Sequence, residues 1–212
     1  MKIKTRSSNF QQQLPSTQII QALNGQLTLF LRGWGGTEYN QKVSDEIVHY
    51  VSSTEADIEV TTPFQYLESL TALTNRTRVA LLLAHDLVYK NDNRGEYTVG
   101  FEVMVVLRAK NELAWSSVGR FSLAKIEKNY LNQLLSSGSD LDDQILLPVH
   151  LMGVEREIHV NSGSLQLGER TKVLISSGTN CTFKLSEAPE SAEPIDVTPS
   201  DSTYWFSILT AG

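Results

Sequence analysis

The sequence predicts an α+β fold, in which a β-hairpin is followed by two helices and then by many strands. The hairpin is indicated by Asn24-Gly25, which lies between two short apolar arms. Apolar residues at helical spacing follow from residue 37. After residue 96 the pattern changes to strands rich in Val, Phe and Tyr. This order is typical of chains whose helices pack outside a sheet or a β-sandwich.

The composition restricts the class of protein. The 212 residues fit a single domain, residues 1–212. A net charge of −6 and the absence of any Lys/Arg block argue against a nucleic-acid partner. Cys181 is the only cysteine, so an internal disulfide is impossible and a reducing compartment fits best. The N-terminal residues lack the apolar core of a signal peptide, and no apolar run is long enough for a membrane span. We therefore expect a cytoplasmic protein with no membrane partner.

The N-terminal third leads to a glycine-rich turn. We expect a strand at residues 2–5, a polar loop at 9–16, and hairpin arms at 18–23 and 26–31. The second arm runs into residues 31–36, L-R-G-W-G-G, where three glycines fall within four positions. Glycine permits positive φ and close approach of other groups, so a strand ending here and feeding a helix is a common way to build a site.

Two helices are predicted next. The first covers residues 37–53, with Val43, Ile47, Tyr50 and Val51 on one face. The second is expected to start at Thr62, as a capping box with Pro63 at the first helical position, and to run to about residue 90.

The remainder is predicted to be mostly strands. They are expected at residues 97–108, 112–118, 121–126, 156–160, 165–167, 172–176 and 204–209. Residues 136–143, rich in Ser, Asp and Gly, are predicted to form a loop. Residues 186–201, rich in Pro and acids, are expected to be irregular.

Several short motifs occur in a recognisable order. They are R-S-S-N-F-Q at 6–11, R-G-W-G-G at 32–36, W-S-S-V-G-R-F-S at 115–122, L-Q-L-G-E-R at 165–170, S-S-G at 176–178 and S-D-S-T at 200–203. The series resembles R-x-x-N-E-D, D-G-M-G-G, V-G-D-S-R, L-x-x-G-D-R, S-D-G and D-N-x-T of the protein phosphatase 2C family, the metal-dependent PPM phosphatases. The resemblance covers nearly the whole chain.

The resemblance implies a four-layer α-β-β-α sandwich. One helical layer is expected to be reduced, because only 21 residues separate Gly178 from Ser200 where the family usually carries helices. Apolar sheet surface left uncovered in this way often binds a partner.

The family hydrolyses phosphoserine and phosphothreonine with two divalent ions held mostly by aspartates. This sequence departs from the family at those aspartates, which are matched by Gln11, Arg32, Arg120, Ser177 and Ser200. A one-residue shift of the last motif restores only Asp201, and one carboxylate cannot hold two divalent ions. A guanidinium at position 32 is also expected to repel a cation. We therefore expect no catalytic residue, no bound Mg²⁺ or Mn²⁺, and a degenerate site made up of Gln11, Arg32, Gly33, Arg120, Ser177, Ser200 and Asp201.

A residual anion site is a further hypothesis. Arg32 has the geometry to bind phosphate, and Gly35 and Gly36 would offer backbone amides at a helix N-terminus. The alternatives are an Arg32 paired with a nearby acid and a plain tight turn. The four histidines have no metal-ligand spacing, and Cys181 lacks a nucleophile signature.

These arguments lead to a catalytically inactive phosphatase-like domain, a pseudophosphatase that serves as a binding or regulatory module. The expected partner is a protein, either a phosphoprotein or a second copy of the chain. One alternative is an active metal-dependent Ser/Thr phosphatase whose site is rebuilt from other acids, such as Glu38, Asp45 or Asp201. A second alternative is a structural subunit that dimerises through the uncovered sheet.

Overall fold

Two five-stranded sheets organise the chain, and each belongs to a different structural unit. The computed structural model describes residues 1–7, 15–56, 61–127, 130–136, 150–168, 171–177, 181–185, 195–199 and 205–210. The N-terminal segment 1–14 forms the first unit together with 120–147 and 168–212. Residues 15–119 and 148–167 form the second unit. Whether the chain is one domain stays a prediction.

The described elements follow one another in a simple order. The strands are β1 (Lys2–Ser7), β2 (Gln18–Ala22), β3 (Leu27–Trp34), β4 (Gly100–Ala109), β5 (Glu112–Val118), β6 (Phe121–Ile126), β7 (Leu131–Leu135), β8 (Asn161–Gln166), β9 (Lys172–Ser177), β10 (Cys181–Leu185), β11 (Ile195–Pro199) and β12 (Trp205–Thr210). The α-helices are α1 (Tyr39–Ala56) and α2 (Ala72–Leu87). A π-helical turn, Val88–Asp92, extends α2. This order confirms the α+β prediction.

The sheet of the second unit is antiparallel, with the order β2-β3-β4-β5-β8. Its first hairpin closes at Asn24-Gly25, whose φ angles of 55° and 77° explain why these two residues mark the turn. Side chains of β3 alternate between the two faces of the sheet. Leu27, Leu29 and Leu31 are buried in a core that they share with Val43 and Ile47 of α1. The predicted apolar face of the first helix is therefore the face that contacts the sheet.

The sheet of the first unit has the order β1-β12-β9-β6-β7, again antiparallel. A separate two-stranded sheet pairs β10 with β11. No helix occurs among the described residues of this unit, which agrees with the prediction of a reduced helical layer. None of the described helices combines the length and the apolarity that crossing a bilayer requires.

The predicted start of the second helix is wrong. Thr62 accepts a hydrogen bond from the Phe64 amide and forms a local turn instead of a helix cap. The helix begins nine residues later, where the Thr71 hydroxyl accepts from the Thr74 amide at 3.1 Å. The Asn75 side chain then closes the preceding turn, because it accepts from the Leu67 amide and donates to the Leu67 carbonyl. These bonds hold the preceding segment in a non-helical conformation.

Some strand predictions also fail. Residues 156–160 form no strand, although they were expected to. Conversely, β7, β10 and β11 were not predicted, and β11 lies within the segment expected to be irregular. The remaining predicted strands are present within a few residues of their expected bounds.

One amide fixes the connection from α2 to β4. Asn93 is buried, and its Nδ2 donates to the carbonyls of Val99 and Gly153 at 2.6 and 2.7 Å. Its Oδ1 accepts from the amides of Thr98 and Val99 at 2.8 and 3.1 Å. A single side chain thus makes four hydrogen bonds, three of them within its own loop, and holds residues 93–99 in a defined conformation.

Replacement of Asn93 by Ala is expected to lower the free energy of unfolding by about 2–4 kcal/mol, because several buried backbone groups lose their partners. Urea unfolding followed by circular dichroism measures the change. Asn91→Ala is the matched control, since Asn91 is exposed and its replacement should cost less than about 0.5 kcal/mol. Equal effects of the two substitutions would contradict this account of the loop.

Candidate functional site

The glycine-rich turn joins β3 to α1 by close backbone packing. Gly35 has φ 112°, and a Cβ placed there would lie 2.5 Å from the Thr98 carbonyl oxygen. A Cβ on Gly33 would lie 2.3 Å from Oδ1 of Asn40 in α1. Neither position has room for a side chain, so the sequence needs glycine at both. The turn therefore lies directly against α1 and the residues before β4.

Arg32 forms a buried ion pair with a glutamate on the neighbouring strand. Arg32 is paired in register with Glu102 of β4, and its Nη1 donates to Glu102 Oε2 at 3.1 Å. The two residues are 4% and 0% exposed. Arg32 Nη2 donates to the Thr17 hydroxyl at 3.0 Å, and Trp34 Nε1 donates to the same glutamate oxygen at 3.1 Å. Since Leu31 faces the helices, this cluster lies on the opposite face of the sheet.

The pairing corrects the argument that Arg32 repels a cation. The carboxylate of Glu102 offsets the guanidinium charge at hydrogen-bonding distance, so the pair as a whole carries no net charge. Of the alternatives considered for Arg32, pairing with an acid is the arrangement observed. An anion contact by Arg32, Gly35 and Gly36 stays a prediction. Two nitrogens of Arg32 donate to Glu102 and Thr17 in the structure.

Sequence reasoning missed Glu102. The signal was available, because Glu102 is the only acid in the apolar run V-G-F-E-V-M-V-V. A charge in a fully buried strand must be paired. Gly119 makes room for it, since a Cβ there would lie 2.7 Å from Glu102 Cβ.

Glu38 and Asn40 place side-chain oxygen atoms next to the turn, whereas Asp45 lies further along α1. Glu38 is exposed, and a Cβ on Gly36 would lie 2.2 Å from Glu38 Oε1, so this carboxylate lies over the turn. Oδ1 of Asn40 is buried and has no hydrogen-bond partner among the described residues. Asp45 is exposed on α1, where it accepts from Gln41. Within the described part of the chain, no group of three or more His, Cys, Asp or Glu side chains is placed to hold a metal ion.

The remaining predicted site positions belong to the first unit. Arg120 precedes β6 and Ser177 ends β9, and these strands pair so that Phe121 lies opposite Ser177. β12 begins at the same end of the sheet, where β1 ends. Gln11, Ser200 and Asp201 lie outside the described residues. Of these motifs, the pairing of β6 with β9 brings together the ones that contain Arg120 and Ser177, at one end of the sheet.

His85 is a structural residue of α2. It is 3% exposed, its Nδ1 accepts from the Gly153 amide at 3.1 Å, and its Nε2 lies 3.4 Å from the Arg156 carbonyl. Burial lowers the pKa of His85 below its ordinary value of 6.5, against the opposing effects of that carbonyl and of Asp86. The imidazole ring therefore links α2 to residues 153–156 through both of its nitrogens. These contacts explain why His85 is buried, and no metal is needed to explain it.

Comparisons with known proteins place the fold. No protein-family model and no curated protein sequence matches the chain. Solved structures do match over its full length. PppA, a regulatory component of the T6SS in Pseudomonas aeruginosa, has 13% identity and a TM-score of 0.56, over 100% of this chain and 99% of that one.

Two further structures give the same result. The catalytic domain of the serine/threonine phosphatase PstP, in complex with two manganese ions, has 11% identity and a TM-score of 0.57, over 100% of this chain and 98% of that one. The serine/threonine phosphatase Stp1 from Staphylococcus aureus has 12% identity and a TM-score of 0.58, over 100% of this chain and 96% of that one. The prediction of a protein phosphatase 2C type fold is confirmed.

These comparisons contradict two predictions. The chain was expected to be a non-enzyme and to have lost Mg²⁺ and Mn²⁺ binding, whereas the similar structures are of serine/threonine phosphatases, one of them holding two manganese ions. The prediction of lost metal binding rested on the missing motif aspartates and on the charge of Arg32, which Glu102 offsets in the structure. Glu38, which was named only for the alternative site, lies over the turn.

Removal of one partner of the buried pair should be costly. Arg32→Met leaves the Glu102 carboxylate buried without its cation and is expected to lower the free energy of unfolding by about 3–5 kcal/mol. Arg32→Met combined with Glu102→Leu should recover most of that loss. Urea unfolding of both single variants and the double variant gives the coupling energy. Additive losses would show that the two charges do not stabilise each other.

His85 should make stability depend on pH. Because its pKa is lower in the folded protein, the unfolded chain binds the proton more readily, and stability falls as the pH drops below 6.5. His85 alone can change the free energy of unfolding by at most about 1.4 kcal/mol per pH unit. Unfolding free energies measured between about pH 7.5 and 5.5 should change less with pH in His85→Gln than in the native chain. An equal pH dependence in the two proteins would contradict this account of His85.

Proposed function

We propose that the chain is a metal-dependent phosphatase of the protein phosphatase 2C family, with a rebuilt site, that removes phosphate from serine or threonine of a protein substrate. The observation that carries the proposal is the likeness of fold to serine/threonine phosphatases along the whole chain. The glycine turn between β3 and α1 supports it, because this turn corresponds to the D-G-M-G-G position of the resemblance.

Glu38 is the described residue that would hold a divalent ion at this turn. Its carboxylate lies over Gly36 and is exposed to solvent. Mg²⁺ keeps several waters and commonly takes only one or two carboxylates together with substrate phosphate oxygens, so a single acid here is chemically compatible with it. A bound ion would supply an activated water and offset charge on the phosphoryl group.

The chain itself contributes to binding of the phosphoryl group. The amides at the start of α1 carry a partial positive charge that favours an anion. Gly35 and Gly36 come shortly before that end of the helix, and their backbone amides carry no side chain of their own. The Arg32–Glu102 pair lies one residue before the turn and anchors it to β4.

A phosphoprotein substrate fits the regulatory setting of PppA, which is described as a regulatory component of the T6SS. A protein partner is accordingly part of this proposal. Self-association through an uncovered sheet, and a cytoplasmic location, stay predictions.

The proposal predicts phosphatase activity that depends on a metal and on Glu38. Purified protein with Mn²⁺ or Mg²⁺ should hydrolyse p-nitrophenyl phosphate and a phosphothreonine peptide, and EDTA should abolish both reactions. Glu38→Gln should lower kcat/KM at least about tenfold and raise the metal concentration needed for half-maximal rate, because a metal-binding oxygen loses its charge.

The control is Glu55→Gln, which removes the same charge from an exposed position near the end of α1. It should leave kcat/KM within about twofold, since a distant surface charge is screened. Absence of metal-dependent hydrolysis of both substrates would refute the proposed function. Normal activity of Glu38→Gln would refute the assignment of Glu38 alone.

A further inference from the structure

A cleft of about 630 Å³ lies between the π-helical turn that follows α2 and the loop that leads to β4. Its lining includes Tyr89 and Lys90 on one side and Arg94, Glu96 and Tyr97 on the other. Tyr97 is 74% exposed, the highest value among the exposed large hydrophobic residues of the described chain. An aromatic side chain held so far out in solvent is a typical contact residue of an interaction surface.

The loop that presents these side chains is held at both ends. The four hydrogen bonds of Asn93 fix its base, as described above. Lys42 of α1 also holds Asp92, with Nζ 2.7 Å from each carboxylate oxygen. A surface with a defined conformation loses less entropy on binding than a mobile one.

The cleft adjoins the glycine turn. Thr98 and Val99, which follow Tyr97 directly, are the residues that contact Gly35. A polypeptide whose phosphorylated residue lies at the turn would therefore continue past Tyr97 and Arg94. The cleft is thus placed to contact residues that flank the phosphorylated one.

The charges of the cleft indicate which flanking residue it takes. Lys90 forms an ion pair with Asp86 at 2.5 Å, so its charge is already offset. Arg94 is exposed and has no ion-pair partner among the described residues, which leaves its guanidinium available for a carboxylate. Glu96, two residues further on, is also exposed and disfavours a run of acids. One acidic residue beside an apolar one matches this arrangement.

We infer that this cleft binds the substrate polypeptide beside its phosphorylated residue, with Tyr97 packing on the chain and Arg94 selecting one acidic side chain. The inference rests on the proposed phosphatase function and deepens it, because it gives the site a sequence preference. Arg94 and Tyr97 are specificity residues in this scheme and take no part in the hydrolysis.

The test uses phosphothreonine peptides with alanine at all flanking positions except one, where a glutamate is moved through the positions on either side. In the native chain, glutamate at one position or two adjacent positions should raise kcat/KM about tenfold, the ratio expected for one well-placed contact. Arg94→Gln should abolish this preference, and Arg94→Glu should reverse it. Tyr97→Ala should raise KM for every peptide about tenfold relative to the KM for p-nitrophenyl phosphate on the same variant.

Matched controls are Lys110→Gln, which removes an exposed cation elsewhere, and Tyr130→Ala, which removes another exposed tyrosine. Both should keep the native preference. If the native chain hydrolyses neither peptide nor p-nitrophenyl phosphate, the proposed function fails. If p-nitrophenyl phosphate is hydrolysed but glutamate has no effect at any position, or Arg94→Gln keeps the preference, the cleft assignment fails while the proposed function stands.

Discussion

The buried ion pair between Arg32 and Glu102 is the constraint on which the geometry of the candidate site depends. Removing both charges from water costs several kcal/mol per ion, and the cost is offset only where partners are placed accurately. Here the Thr17 hydroxyl accepts a hydrogen bond from the guanidinium, and the Trp34 indole donates one to the carboxylate. A one-residue slip of β3 would turn Arg32 toward the apolar helix face, so the pair also fixes the register of β3 against β4.

Register in turn determines where the glycine turn lies. With Arg32 opposite Glu102, Trp34 is paired with Gly100, and Gly35 then meets the residues just before β4. The Asn40 side chain packs against Gly33, and this contact determines how closely α1 lies to β3. The loop held by Asn93 meets this turn through Thr98 and Val99, which lie next to Gly35. The register of β3, the start of α1 and the cleft are therefore linked through these contacts. A change at Arg32 is expected to affect all three.

Local features of this unit were predictable from sequence because local chemistry determines them. Asn24-Gly25 closes the hairpin by its backbone preference, and the glycines of the turn are required by close approach. The pair was not predictable in the same way, since Arg32 and Glu102 are 70 residues apart and only strand register brings them together. The second helix was misplaced because Thr62 and Thr71 are both competent caps. The choice between them depends on Asn75, whose side chain closes the turn before Thr71.

The loss of a motif residue does not by itself show that the chemistry of a site is lost. A site requires a certain total charge and a certain number of oxygen atoms, and these can come from positions that no motif contains. Arg32 in place of an aspartate changes the local charge by two units, yet Glu102 on the next strand offsets the guanidinium within 3.1 Å. Glu38 adds a carboxylate three residues after Gly35, at the turn itself. Whether a phosphatase fold retains its electrostatic environment must therefore be judged from neighbouring strands as well as from the motif, because cross-strand neighbours contribute as much field as residues adjacent in sequence.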